Sequence, residues 1–365
     1  MSRNWMMDRW ERIRGLVMRS AVVIGGTGLI GRAVARRLVS AGWRVTVTGR
    51  DPAHMPADLE AAGVRFRAVD RDDAAGLAAA VGGGLDFLLD CVCFTGAQAR
   101  LLLPLLGDVG SAAMISSKAV YVDADGNHVN SASPPRFDAP VTERQPTMKP
   151  GDMPYNSAEG YGANKVAAEH VLLDSGRPVT VLRPSKVHGE GATPPREWYF
   201  VKRAADRRPA ILLAGHGRGA DHPSAAVNIA ALAETVAERP GRRILNAADP
   251  DTPDGLAISR AIAALTGHQW RAVLLNEDAP PHLGRHPWHT RPPIVLDTSA
   301  AEALGYRPLG TYSTTVTHAV TPLLDQLARD PAWTPPGIDA ELTARWFDYA
   351  AEDDWLDSQW RVSST

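Results

Sequence analysis

The chain has 365 residues, 44% apolar and 22% charged, with a formal net charge of −2. This is enough chain to bury a large core in one sizeable domain plus a smaller one. The charge gives no reason to expect nucleic acid or an anionic membrane as partner, and no apolar run is long enough to cross a bilayer.

Residues 1–18 mix arginines with Asp8, Glu11 and two tryptophans. They lack the uninterrupted apolar stretch and small-residue cleavage site of a signal peptide, so they read as an N-terminal tail, with Met18 a candidate start. From there strand and helix alternate. Residues 21–24 form a short apolar strand, followed by a glycine-rich turn and a helical period over 30–39. Residues 43–48, 64–69, 87–92, 112–116 and 179–182 read as further strands, and 74–81 and 162–173 as helices. Strands joined by helical crossovers predict a parallel, doubly wound α/β sheet.

After Pro184 the regularity breaks. Residues 189–223 are rich in Gly, Pro and Arg, and 279–293 form a dense Pro/His/Trp loop, as suits a smaller lobe shaping a substrate pocket. Residues 244–247 read as a strand returning to the main sheet. The expected organisation is a dinucleotide-binding domain over 19–185 with a returning segment near 225–250, and a sequence-interleaved substrate lobe over 186–224 and 251–319. A Trp-rich extension follows over 320–365. There Leu342, Trp346 and Tyr349 fall at helical spacing, which predicts one helix docked by an aromatic face.

The two cysteines, Cys91 and Cys93, sit two apart in an apolar run. On a strand they share a face but diverge too much for an easy disulfide, so they read as core or pocket-lining thiols, in keeping with a reducing cytoplasm.

The segment Val22-Val23-Ile24-Gly25-Gly26-Thr27-Gly28-Leu29-Ile30-Gly31 places glycines between a buried strand and an amphipathic helix. One glycine serves a tight turn, another lets backbone approach a pyrophosphate, and Gly31 permits close helix–strand packing. Free amides and the positive helix start then hold phosphates, so Gly25, Gly28, Leu29, Ile30 and Gly31 are candidate cofactor contacts. At the end of the second strand, Arg50 is placed to accept the extra phosphate of NADP in a bidentate fork, while Asp51 offers the alternative of NAD. After the third strand, Asp70-Arg71 is placed to meet the adenine through a carboxylate and neighbouring backbone, although Asp72 and Asp73 offer the same chemistry.

Tyr161 and Lys165 lie four apart on a predicted helix and share a face. An ammonium near a phenol favours phenolate and brings it toward a working range for proton transfer. Ser117, just beyond the fifth strand, can hydrogen-bond a substrate oxygen.

These landmarks resemble the short-chain dehydrogenase/reductase superfamily, in its extended or atypical branch related to NAD-dependent epimerase/dehydratases. The resemblance runs from about Ser20 to about Ala319 and includes Ile115-Ser116-Ser117-Lys118-Ala119-Val120-Tyr121 and Leu182-Arg183-Pro184-Ser185-Lys186-Val187-His188-Gly189. It implies a Rossmann sheet. It selects Ser117 over Ser116, and assigns Tyr161 as acid/base and Lys165 as ribose ligand and pKa modulator. The backbone after Arg183, at Pro184 and Val187, would contact the nicotinamide carboxamide, and Cys91, Val92 and Cys93 would line the cofactor channel. Lys186, His188 and Arg218 are candidate substrate contacts.

Three departures from the family pattern stand out. Lys118 and Ala119 replace the Asp-Glu of the sugar dehydratases, which argues against dehydration. Lys186 and His188 stand where sugar-nucleotide epimerases usually carry Asn and Tyr. The tail after Pro331 has no counterpart. His282, His286 and His289 cluster in sequence, but no cysteine or clear carboxylate completes a ligand set, so no metal is expected. The expected activity is an NADP-dependent oxidoreductase acting on a carbonyl or secondary alcohol of a small polar metabolite, with NAD as the other candidate cofactor. A nucleotide-sugar epimerase with tightly held cofactor and a non-catalytic dinucleotide sensor are the competing readings. The expected partner is a small molecule, not nucleic acid or membrane, and a homodimer is left open.

Overall fold

The computed structural model describes residues 18–276 and 279–363. The expected tail over 1–18 therefore lies outside the described residues, apart from Met18.

Seven strands form one all-parallel sheet: β1 (Ser20–Ile24), β2 (Arg44–Gly49), β3 (Arg65–Ala68), β4 (Leu85–Asp90), β5 (Val109–Ile115), β6 (Val179–Pro184) and β10 (Arg243–Ala247). Their order is β3-β2-β1-β4-β5-β6-β10. Near-continuous apolar runs such as Ala21-Val22-Val23-Ile24 are what a strand buried on both faces requires, and those four residues are all buried. On one face α1 (Leu29–Ser40) and α6 (Ala226–Glu238) supply Val34, Leu38, Ile229, Leu232 and Val236. On the other, α2 (Ala74–Val81), α3 (Gly96–Leu102) and α4 (Ala158–Leu173) supply Leu77, Leu102 and Leu172. The strand order reverses between β1 and β4, and the crevice beyond their carboxyl ends is where such sheets bind ligands.

Strand β10 returns beside β6, pairing Ile244 with Val181, as the sequence predicts. Strand β4 ends two residues earlier than expected, so Cys91 and Val92 lie beyond it, in the crevice. Helix α4 begins at Ala158, capped by the Ser157 hydroxyl, four residues before the expected start.

The second lobe contains two short parallel pairs, β7 (Lys186–His188) with β9 (Pro223–Ala225), and β8 (Ala210–Leu213) with β11 (Arg271–Leu274). Around them pack α5 (Trp198–Ala205), α7 (Gly255–Thr266) and α8 (Thr317–Arg329), burying Trp198, Phe200, Ile258, Ile262, Trp288 and Val320.

The Trp-rich extension docks on this lobe as two helices, α9 (Ala340–Trp346) and α10 (Tyr349–Ser363), where one was expected. The backbone leaves helical geometry at Phe347, and Asp348 starts a new helix by accepting from Ala351 N. Trp346 is buried edge-on to Tyr199. Tyr349 serves the surface instead: its hydroxyl donates to Asp206 at 2.8 Å and its ring lies beneath Arg208.

Candidate active site

The loop after β1 is shaped by what its glycines leave out. Gly25 adopts φ +75°, a conformation that glycine alone takes without cost, and its amide and that of Gly26 both donate to Thr48 O. A Cβ on Gly26 would collide with Val47, and one on Gly31 with the Gly25 carbonyl and with Gly26 Cα at 2.6 Å. At Gly28 a Cβ would meet only Gly25 O, at 3.4 Å. Gly26 and Gly31 are thus needed for packing, whereas Gly28 opens outward at the start of α1. There the unpaired first-turn amides and the helix dipole form a cradle suited to a pyrophosphate.

Arg50 is exposed at the end of β2 and makes no hydrogen bond or ion pair among the described residues. The Asp51 carboxylate is taken up locally, accepting from Ala53 N at 2.9 Å. Asp70 is exposed and accepts from Asp72 N at 2.9 Å. The Arg71 side chain turns inward, which leaves only its backbone for the expected contact with adenine. It is buried, and its guanidinium pairs with the fully buried Asp90 at 2.5 Å and donates to Gln98 O at 2.9 Å. A carboxylate without solvent at the end of β4 demands a cation, and Arg71 is the one that supplies it. The Arg71–Asp90 pair was not foreseen from the sequence.

Cys91 and Cys93 are free thiols. Burial and the Asp90 charge push both up, Cys93 to about 12, so they are neutral wall. Val92 lies directly against Gly25.

Ser117 begins a tight turn after β5, its Oγ accepting from Ala119 N at 3.1 Å. Tyr161 stands on α4, and its phenol senses the Ser117 side chain, which opposes the rise that burial imposes on it. Gly162 makes this approach possible: a Cβ there would meet Ala119 O at 2.5 Å, so only glycine lets α4 lie this close to the Ser117 turn. Ser116 points elsewhere, donating to the buried Glu169, which also holds Arg183 at 2.5 Å. That network ties the ends of β5 and β6 to α4 and leaves Ser117 as the hydroxyl facing the crevice. Gly162, Glu169 and Arg183 were missed as site residues; the glycine following Tyr161 was the available signal.

Lys165 is buried, donating from Nζ to Cys93 O and Ile115 O at 2.8 Å each, with the Phe94 ring centroid 4.3 Å away. Burial pushes it down to about 8, against the pull of surrounding anionic groups. The expectation that its charge depresses Tyr161 is not met in this arrangement. Burial raises the Tyr161 phenol, and Ser117 is what opposes that rise.

Residues 21–132 match the family model described as the saccharopine dehydrogenase NADP binding domain. No curated protein matches the chain. Solved structures do. UDP-glucose 4-epimerase from Thermotoga maritima superposes with TM-score 0.61 at 14% identity, over 84% of this chain and 99% of that one. UDP-glucose 4-epimerase from Thermus thermophilus, in complex with NAD, gives 0.59 at 18%, over 83% and 98%. The dTDP-glucose 4,6-dehydratase from Bacillus anthracis, also with NAD, gives 0.63 at 12%, over 86% and 98%. The chain shares the fold of these epimerases and this dehydratase.

Within this fold, Pro184 closes β6 opposite Ala247 and Val187 pairs with Ser224. Lys186 ion-pairs with Asp221 at 2.8 Å, and Lys118 meets the other oxygen of the same carboxylate. His188 differs from its expected role as a substrate contact. It is buried, its Nε2 2.9 Å from Asp249, whose other oxygen accepts from Ala225 N and Asn228 Nδ2. That is an interior network. Arg218 is exposed just past the turn over Gly215–Gly217. His286 is buried, and burial pushes it down to about 3. Among the described residues no three His, Cys, Asp or Glu side chains group as a metal site, and no helix is long and apolar enough to cross a membrane.

Proposed function

We propose that the chain is an NADP-dependent oxidoreductase acting on a carbonyl or secondary alcohol of a small polar metabolite. The observation that carries this reading is the close approach of α4 to the Ser117 turn at Gly162, which sets Tyr161 beside that turn, with Lys165 four residues further along the same helix. The loop residues Gly25, Gly28, Leu29, Ile30 and Gly31 would hold the cofactor pyrophosphate. Arg50 would hold the extra phosphate, Lys165 the ribose, and the backbone at Pro184 and Val187 the carboxamide. The nicotinamide, when bound, supplies or accepts the hydride.

The protein's own part is proton handling and polarisation. In reduction, the electron pair of the carbonyl moves onto its oxygen, which takes the Tyr161 proton while the Ser117 hydroxyl donates a second hydrogen bond. A phenol raised by burial stays protonated at neutral pH and is ready to act as an acid. A nucleotide-sugar epimerase is the second reading, favoured by the epimerases that share the fold.

The deciding assay supplies substrate with deuterated NADPH. Deuterium in product, with one NADPH consumed per product, is the expected result. Tyr161→Phe should slow the chemical step by roughly two or more decades. Isomerisation without net NADPH consumption hands the case to the epimerase, and unchanged single-turnover transfer in Tyr161→Phe removes Tyr161 from its role.

A further inference from the structure

Immediately beyond Ser117 lies a charge arrangement that proton and hydride transfer do not need. Lys118 and Lys186 are both largely buried, and they share one carboxylate, each taking one oxygen of Asp221. Arg196 is close enough to press on both lysines electrostatically; its own charge is offset by the neighbouring buried Glu197. Burial and the neighbouring cations push both lysines down, Lys186 to about 7, because one carboxylate is too little to hold two ammonium groups in a poorly solvated place; a second anion would restore their protons.

The hydrogen-bond inventory is also incomplete. An ammonium has three donors. Lys186 uses one on Asp221 and one on Pro287 O at 2.7 Å, leaving one over. Lys118 Nζ is buried, and among the described residues Asp221 is its sole ionic partner. Arg196 donates to Val187 O at 2.8 Å, and a guanidinium has further N–H groups to give. The Lys186 side chain keeps 18% of its surface exposed. Thr290 donates to Asp221 Oδ2 at 3.3 Å and also lines a cleft of about 680 Å³ with Arg285, Pro134 and Leu283.

We infer that Lys118, Lys186 and Arg196 form a subsite for one anionic oxygen group of the substrate, a carboxylate or a phosphate, held next to the reacting carbon. This deepens the oxidoreductase reading and rests on it for the word substrate, but the anion site itself stands on the cluster. The substrate is accordingly an oxo- or hydroxy-compound bearing such a group. Lys118, which removes the possibility of dehydration, thereby acquires a use of its own.

The test is calorimetric titration of the full chain, saturated with NADPH so that the phosphate cradle is filled, with inorganic phosphate and separately with acetate. One of the two should bind at a single site in the millimolar range, and the tighter one names the class. Lys186→Met and Lys118→Met should each weaken it about tenfold or more, the loss of one charge-assisted contact. Lys186→Arg should keep it, and NADPH affinity should stay constant throughout, which also shows that the variants fold. Absence of binding by both anions, or binding undiminished in Lys186→Met, overturns the subsite and leaves the oxidoreductase reading intact. If NADPH does not bind at all, the oxidoreductase reading falls. The comparison of Lys186→Met with the unsubstituted chain, both cofactor-free, then still decides the subsite.

Discussion

Lys165 carries its charge among two carbonyl oxygens and an aromatic ring, with 2% of its surface exposed. Its folded value near 8 lies below the ordinary value of 10.5, so the direction of linkage is set. Below pH 8 both folded and unfolded chains hold the proton, and the folded chain bears the full cost of burying it. Between about pH 8 and 10.5 the folded chain gives up the proton first, and stability rises with pH. Urea unfolding of the unsubstituted protein and of Lys165→Met should therefore diverge across this window, shifting on the order of 1–3 kcal/mol in favour of the unsubstituted protein. A difference that stays flat from pH 7 to 10.5 would contradict a buried, depressed ammonium.

Arg50 presents the opposite situation: exposed, unengaged among the described residues, and beside an aspartate whose carboxylate already serves Ala53 N. NADPH should bind more tightly than NADH, and Arg50→Ala should erase about tenfold or more of that preference. Equal dissociation constants in the unsubstituted protein would end the assignment of Arg50 to the extra phosphate.

Elements were legible where burial imposes a period on the sequence. The central strands β1, β4, β5 and β6 read as apolar runs because they are covered on both faces, and the glycine loop is readable because steric demands at Gly26 and Gly31 leave no other residue possible. Ser117, Tyr161 and Lys165 were legible as a set because their spacing follows from one turn and one helix. What escaped were features created by contact across the fold. Arg71 reads as a cofactor contact, and its ion pair with Asp90, nineteen positions later, shows only once both are buried together. His188 reads as a pocket residue until Asp249 claims it. The pairs β7–β9 and β8–β11 involve strands of three or four residues, too short to show a period. The break between α9 and α10 did have a local signal, Asp348 as a helix cap, but the aromatic spacing across it resembles an unbroken helix.

At the scale of the whole molecule, the Trp-rich extension completes the second lobe's core. Trp346 is buried among Tyr199 and Phe347, and Trp333 meets Trp198 edge-on at 5.8 Å. Further out, Ala351, Trp355 and Leu356 of α10 pack against the buried cluster of Leu212, Leu275 and Leu283. Limited proteolysis of the native protein should spare α9 and the first turns of α10, and Trp346→Ala should cost about 3–5 kcal/mol and open that segment to cleavage. Rapid cutting around Trp346 in the unsubstituted protein would refute docking.

The buried ion pair between Arg203 and Glu352 spans 149 positions of chain. Until Glu352 arrives, Arg203 has a charge to bury and no carboxylate to bury it with, and the cost of closing so long a loop precedes any gain from the contact. On a translating ribosome the seven-stranded sheet can therefore settle early, while the second lobe waits for synthesis to reach α10. During synthesis the crevice at the end of the sheet would thus stand for a time without the lobe that comes to cover its far side.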